Sequence, residues 1–364
     1  MNRQGDVPHA FALVASVIVP VYNGSATIVH CLQALANQTV APDCYEIIVV
    51  DDGSTDTTDT TVTAWCQHHP HIRCKLIRQS NQGPAAARNR GAAVAQGVLL
   101  LFTDADCRPV EGWIAAFVAA FDLENESSRA TSAAAATDRP VSAAMGTYRS
   151  EQQTSAARFA QLEFAERYVH MHHEPTLDVV ATYSAAFRRT VFADVKGFDP
   201  AFPKANNEDV ELSYRLSELG HRMIFVPAAV VYHPHGATWW DYAQTKLGRA
   251  YWRTIVYKRY PVKAIKDSYT PQILKVQILL APLCLVGLLW FFLTQEARAL
   301  LLFVPFLLTT LPMIRFAWQQ REVRVAFWTP WGLWIRSLVF ALGVVAGLLF
   351  GNRTEQAVES VLQK

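Results

Sequence analysis

Charge is scarce in this chain. Asp, Glu, Lys and Arg make up 18% of its 364 residues, against about 25% in ordinary soluble proteins. Neither sign dominates: 33 Lys and Arg face 31 Asp and Glu, a formal net charge of +2. That balance lacks the overall electrostatic footprint of a basic nucleic-acid binder. The six cysteines (31, 44, 66, 74, 107 and 284) include no Cys-x-x-Cys pair, which argues against a zinc ribbon and fits a reducing compartment. With 17 glycines and 51% hydrophobic residues, a collagen, a disordered chain and a small disulfide scaffold are all excluded. At roughly 100–200 residues per domain, the length suits one large domain with an addition, or two domains.

The apolar excess lies near the C-terminus. Residues 274–293 read LKVQILLAPLCLVGLLWFFL, 299–314 read ALLLFVPFLLTTLPMI, and 338–351 read LVFALGVVAGLLFG. A helix crossing a bilayer needs about 20 mainly apolar residues. The first run meets that length, and the other two reach it as 299–318 and 333–351. Their arginines, Arg315 and Arg336, then fall near ends where a long side chain can snorkel to the head groups. The stretch before the first run holds Lys246, Arg249, Arg253, Lys258, Arg259, Lys263, Lys266 and Lys275. The positive-inside rule places that stretch and the N-terminal domain in the cytoplasm, as in a multi-pass protein of the cell inner membrane. The tail, 352–364, falls outside, or in the cytoplasm if the third run does not fully cross.

Residues 10–21 are apolar and follow Arg3, as in a secretory leader. The β-rich 16–19 running into Pro20-Val21-Tyr22-Asn23 reads instead as a first strand and turn. From there strands alternate with helical stretches: 16–19, 45–50, 74–78 and 98–102 are strands, and 26–38, 57–67 and 85–96 are helical. Continuous apolar strands between helices mark a parallel sheet covered on both faces. Ligands of such sheets sit at the carboxyl ends of the strands. Residues 125–140, rich in Ser, Thr and Ala, read as a surface loop.

Acids stand at those strand ends. Asp104-Ala-Asp106 follows a buried strand, and two carboxylates so spaced can both face a hard divalent cation that also takes phosphate oxygens. Asp51-Asp52-Gly53-Ser54 ends another strand; it is either a turn with a helix cap or a contact to a base or ribose. Asn81-Gln-Gly83-Pro-Ala-Ala-Ala-Arg88-Asn89-Arg90 opens a helix, with Pro suited to the first turn and arginines where a diphosphate can lie. Glu208-Asp209 begins another helix. Acids there are favoured by the helix dipole alone, or one of them serves as a general base. His233-Pro-His235 ends a further apolar strand, where the histidines are metal ligands or structural.

In their order and spacing, these pieces resemble family 2 glycosyltransferases of the GT-A fold, a Rossmann-like α/β domain. The carrying motifs are SVIVPVYN (16–23), IVVDDGSTD (48–56), NQGPAAARNRG (81–91), LLLFTDADC (99–107), GFDPAF (197–202), NNEDVELSYRLSELG (206–220) and VVYHPHGAT (230–238). The resemblance implies transfer of a sugar from a nucleoside diphosphate-sugar with inversion. It implies that Pro20, Tyr22, Asp51 and Asp52 contact the nucleotide, and that Gly83 and Arg88 line its base or diphosphate region. Asp104 and Asp106 would hold Mg²⁺ or Mn²⁺, with His233 the third ligand in preference to His235. Asp209 would be the base and Glu208 its neighbour in acceptor binding. Processive members carry Gln-x-x-Arg-Trp before their membrane helices. Here the nearest stretch is Gln244-Thr-Lys-Leu-Gly-Arg249-Ala-Tyr-Trp, so a non-processive enzyme is expected, with Arg249 reaching the diphosphate.

The expected organisation is a catalytic domain over 1–238, an amphipathic juxtamembrane segment over 239–273 and a transmembrane region over 274–351. Trp239, Trp240, Tyr242, Tyr251, Trp252, Tyr257 and Tyr260 interleave with basic residues in the middle segment, which suits an interfacial helix. A cleft held near the bilayer points to a lipid-linked or surface-glycan acceptor and a cell-envelope role, with no nucleic-acid partner. The competing readings are a polyprenyl-phosphate sugar synthase, a nucleotidyltransferase, and a non-catalytic membrane scaffold retaining the fold.

Overall fold

The structure is a computed structural model that describes residues 13–130, 139–202 and 206–362. It opens with β1 (Ala15–Val21), α1 (Ile28–Ala36), β2 (Tyr45–Asp51), α2 (Thr58–His68), β3 (Cys74–Arg78), α3 (Pro84–Val94) and β4 (Leu99–Phe102). These match the strands and helices read from the apolar runs to within two or three residues. The apolar stretch after Arg3 is thus a strand from Ala15 onward, while residues 1–12 lie outside the described part.

The sheet is mixed, not parallel throughout. Beyond β4 come β5 (Arg108–Pro109), α4 (Trp113–Ala130), β6 (Val141–Arg149), α5 (Ser155–His172), β7 (Ala185–Arg188), α6 (Arg189–Asp194), α7 (Glu208–Glu218) and β8 (Arg222–Tyr232). The strand order is β3-β2-β1-β4-β7-β6-β8-β5. β1, β2, β3 and β4 run parallel, and β7 joins β4 antiparallel. The expected loop over 125–140 is corrected in part: 125–130 continue α4, and 131–138 lie outside the described residues.

Alternate residues of β1 feed two cores. Val17 and Val19 pack with Ile47, Val49, Leu32 and Phe117 on one face. Ile18 packs with Ile48, Val50, Ala87 and Phe187 on the other. Both faces are therefore dry, which is why these strands read as unbroken apolar runs. Each fully buried Val, Ile or Phe contributes roughly 1.5–3 kcal/mol. The carboxyl ends of β1, β2 and β4, where the polar turns sit, open on one edge of this scaffold.

After β8 the chain is helical: α8 (Trp239–Arg259), α9 (Pro261–Ile265), α10 (Gln272–Thr294), a 3₁₀ turn (Ala297–Phe303), α11 (Val304–Gln319) and α12 (Val323–Leu362). Among the described residues, three helices are long and apolar enough to cross a membrane: Gln272–Thr294, Ala297–Gln319 and Val323–Gly351. The third begins ten residues before the expected 333. A stripe of Gly343, Gly347 and Gly351 lets α12 lie directly on α8. A Cβ at Gly347 would meet Thr254 Cβ at 2.8 Å and Tyr251 O at 2.9 Å.

The snorkelling role expected for Arg336 is corrected. Arg336 is buried, donating to Glu163 Oε1 at 2.7 Å and to Gln277 Oε1 at 2.5 Å. Glu163 also accepts from Lys246 at 2.7 Å and from Tyr242 at 2.8 Å. Burial works against the Glu163 carboxylate, but Lys246 and Arg336 outweigh it and hold its pKa at about 2. One carboxylate thus ties α5 of the α/β domain to α8, and to α12 of the apolar bundle.

Candidate active site

Side chains from one strand-end turn hold the next. Asn23, with φ +50°, occupies the left-handed region that Asn tolerates. Its Oδ1 accepts from Thr55 N at 2.8 Å and Asp56 N at 3.3 Å. Asp52 accepts from Gln79 Nε2 at 2.7 Å, Gln82 N at 2.9 Å and Gly83 N at 2.8 Å. It is 4% exposed, so its carboxylate faces the 79–83 loop. Gly83 caps α3 with φ +88°, a conformation open to glycine at little cost. Asp51 is fully buried and accepts from Ser54 N at 2.9 Å. Pro20 is half-buried near the end of β1, and Tyr22, 51% exposed, projects from that same end.

Arg88 lies deeper than the resemblance implied. It is 2% exposed and bridges two carboxylates, Glu208 Oε1 at 2.6 Å and Asp104 Oδ1 at 2.8 Å. The next residue of α3, Asn89, pins the backbone of Phe198, donating to its carbonyl at 2.7 Å and accepting from its N–H at 2.9 Å. Phe198 closes an aromatic cluster with Phe102, Phe187 and Phe192, at centroid distances of 5.3–6.5 Å. These contacts fix GFDPAF, and with it the start of α7, against β4.

The two acids of α7 part company. Glu208 is buried, its Oε2 has no hydrogen-bond partner among the described residues, and its pKa is pushed up to about 7 by burial, with Arg88 pulling it down and Asp209 pushing it up. Asp209 is part-exposed and lines a cavity of about 340 Å³ together with Asp104, His233, Lys246 and Arg249. Its Oδ1 accepts from Val210 N at 2.8 Å and its Oδ2 from Thr182 N at 3.4 Å. Glu208 lines the same cavity, but Asp209 is the more exposed of the two carboxylates.

Asp104 and Asp106 each approach His233. His233 Nε2 is 3.3 Å from Asp106 Oδ1. Asp104, Cys107 and His233 offer ligand atoms within 4.8 Å of one another. Burial pushes the Asp106 carboxyl above its usual range, His233 draws it back, and Asp104 adds to the rise. Asp106 stands outside that group and joins it through His233; the carboxylate and imidazole donors of Asp104 and His233 suit a divalent cation such as Mg²⁺ or Mn²⁺. Cys107 completes a donor group on distance alone. It is buried and its thiol is pushed well above the ordinary range by burial and by Asp104 and Asp106, so it remains a neutral packing residue.

Tyr148 of β6 organises both histidines. Its hydroxyl is 2.9 Å from His233 Nδ1 and 2.9 Å from His235 Nδ1. His235 also meets Gln161 Oε1 through Nε2 at 3.2 Å, and burial depresses its pKa to about 3. Both of its ring nitrogens are engaged, whereas His233 keeps Nε2 toward the acids. Tyr148, Thr182 and Arg167 were not legible as site residues. They lie on or near β6, β7 and α5, whose local sequences carry no turn or motif signal.

The profile of glycosyl transferase family 2 matches residues 16–194. The chain carries a family 2 glycosyl transferase domain. Within this transferase domain fall β1 to β4, the strand-end acids and Arg88. The chain is 39% identical over 99 residues to glycosyltransferase AglE of Haloferax volcanii, covering 27% of this chain and 32% of that one. It is 29% identical over 230 residues to the pre-mycofactocin glycosyltransferase of Mycobacterium tuberculosis, covering 60% of this chain and 42% of that one. The chain thus spans well under two thirds of these relatives' lengths. A mannosyltransferase from Pyrobaculum calidifontis, solved in complex with GDP-Man and Mn²⁺, superposes with a TM-score of 0.58 at 22% identity, over 92% of this chain and 87% of that one. That likeness establishes a shared GT-A-like fold, with the C-terminal helices included in the alignment.

Proposed function

We propose that this protein is a membrane-anchored, inverting, non-processive glycosyltransferase. It moves a sugar from a nucleoside diphosphate-sugar to a hydroxyl of a lipid-linked or surface-glycan acceptor. The observation that carries this reading is the single cavity that joins Asp209 to Asp104 and His233 and extends to residues of α10 and α12. The catalytic domain lies on the cytoplasmic side, held to the inner membrane by the apolar helices.

Asp209 takes the proton from the acceptor hydroxyl as its oxygen attacks the anomeric carbon. A C–O bond forms to the acceptor, and the bond to the diphosphate breaks on the opposite face. The electron pair leaves with the nucleoside diphosphate. Asp104, Asp106 and His233 would hold Mg²⁺ or Mn²⁺, which when bound supplies charge to the leaving diphosphate. Arg249 has no side-chain partner among the described residues, and it reaches the same diphosphate. Tyr22 stacks on the base, and Pro20, Asp51, Asp52 and Gly83 shape the nucleotide pocket. Arg88 acts as a positioning residue, aligning Asp104 with the start of α7.

The test supplies purified protein with a panel of nucleotide-sugars, Mn²⁺ and membrane lipid extract. One donor releases its nucleoside diphosphate and labels an extractable acceptor. Asp104→Ala and Asp106→Ala lose both that release and Mn²⁺ binding measured by electron paramagnetic resonance. Release that survives chelation and both substitutions contradicts the metal assignment.

A further inference from the structure

The cavity that holds Asp209 continues past the carboxylates toward the apolar helices. Its far end is lined by Arg167 and Arg253, by Tyr269, and by Leu274 and Ile278 of α10 with Phe340 and Val344 of α12. Two guanidinium groups share one ring there: Arg167 sits 4.0 Å from the centroid of Tyr269 and Arg253 5.8 Å from it. Arg253 is partly compensated, lying 3.8 Å from Asp267 Oδ2 and donating to Asn207 Oδ1 at 2.9 Å. Arg167 forms no ion pair among the described residues; its Nη1 donates to the Tyr269 hydroxyl at 2.8 Å, and its buried Nε has no partner. Glu163 and Glu166 act on Arg167 only through space, and a part-buried cation without a direct ion pair favours an anion. Thr270 and Pro271, at the start of the 23-residue α10, line the same space.

We infer that this end of the cavity binds the phosphate or diphosphate of an amphiphilic acceptor, whose hydrocarbon chain leaves between α10 and α12. This rests on the transferase reading and deepens it by naming the acceptor class. Leu274, Ile278, Phe340 and Val344 belong to helices able to cross a membrane, so the exit is apolar where the entrance is cationic. A soluble neutral glycan would need neither feature. The volume, about 340 Å³, lies at the small end of ligand pockets, roughly 300–1,000 Å³. It suits a head group and the first carbons of a chain that continues into the bilayer. The acceptor's phosphate pairs with Arg167 and Arg253, and its reacting hydroxyl lies toward Asp209.

The experiment uses the full chain in phosphatidylcholine nanodiscs, without nucleotide-sugar or divalent ions, and a fluorescent polyprenyl phosphate as the probe. Polyprenyl phosphate binds, polyprenol of equal length binds at least about tenfold more weakly, and inorganic pyrophosphate does not displace the probe. Arg167→Gln raises the Kd of the probe about tenfold, the loss of one charge-assisted contact. Val344→Trp, away from the charges, obstructs the chain's exit and weakens binding at an unchanged melting temperature. Equal affinity for polyprenol overturns the anion site. Displacement by pyrophosphate at matched concentration makes it a free-phosphate site and overturns the lipid assignment. Full affinity in Val344→Trp overturns the exit path. Because no donor is present, failure of the donor panel described above is a separate result from failure of this one.

Discussion

Replacing Arg88 with Gln removes the one cation between two acids of the active site. Glu208 Oε1 and Asp104 Oδ1 lose partners at 2.6 and 2.8 Å, and Glu208 Oε2 already has none. Breaking a buried ion pair by deleting one member costs about 3–5 kcal/mol. Asp104 is part-exposed and rehydrates, so most of the cost falls on Glu208, which is buried. Glu208 can escape by taking up a proton. Its pKa is already raised to about 7 with Arg88 present, and loss of the guanidinium moves it higher. The sign follows from linkage: a group whose folded pKa is raised adds stability below its unfolded pKa and loses it as pH rises through the folded value. Arg88→Gln therefore adds little penalty from Glu208 near pH 5.5, where that group is mostly neutral in both proteins, and about 1–1.5 kcal/mol more near pH 8, one pH unit above the wild-type value of about 7. Melting temperatures of wild type and variant in detergent, taken at both pH values, read this directly. An equal loss at the two pH values, or none at pH 8, refutes the assignment of Glu208 as a buried acid held by Arg88.

Three further outcomes follow from the packing and the site. Glu163→Gln leaves Lys246 and Arg336 buried together and lowers stability by about 3–5 kcal/mol; acid has the same effect in wild type, because a depressed pKa gives stability that is lost as pH falls from about 4.5 toward 2, a loss visible in melts between pH 5 and 3. Gly347→Val drives a side chain into Thr254 and the backbone of Tyr251 and costs roughly 1–3 kcal/mol, read as faster proteolysis between the catalytic domain and α12. Tyr148→Phe removes the hydroxyl that orients His233 and weakens Mn²⁺ binding by about 10–100-fold, measured by electron paramagnetic resonance titration.

Legibility divided along physical lines. β1 to β4 and the acids at their ends could be read because each strand is buried on both faces and closes in a polar turn. β6 and β7 could not: VSAAMGTYR and AAFR are short or small-residue segments whose pairing is set by distant partners. With them went the mixed sheet, and Tyr148 as the residue orienting His233. The motif carrying Arg88 was visible, but its burial between Asp104 and Glu208 depends on a contact 120 residues away in sequence. Arg336 failed for the same reason, since its counter-ion Glu163 lies 173 residues earlier on another layer. An arginine near the end of an apolar run looks alike whether it reaches water or a buried acid.

The most direct test of the account is transfer by Asp209→Asn beside wild type, with the active donor and a lipid acceptor. Asp209 lines the same cavity as Asp104 and His233, and removal of a general base costs about 10²–10⁴-fold. The variant is predicted to bind donor and Mn²⁺ as wild type does while transfer falls by that factor. Turnover equal to wild type would contradict Asp209 as the base and, with it, the catalytic reading of this cleft.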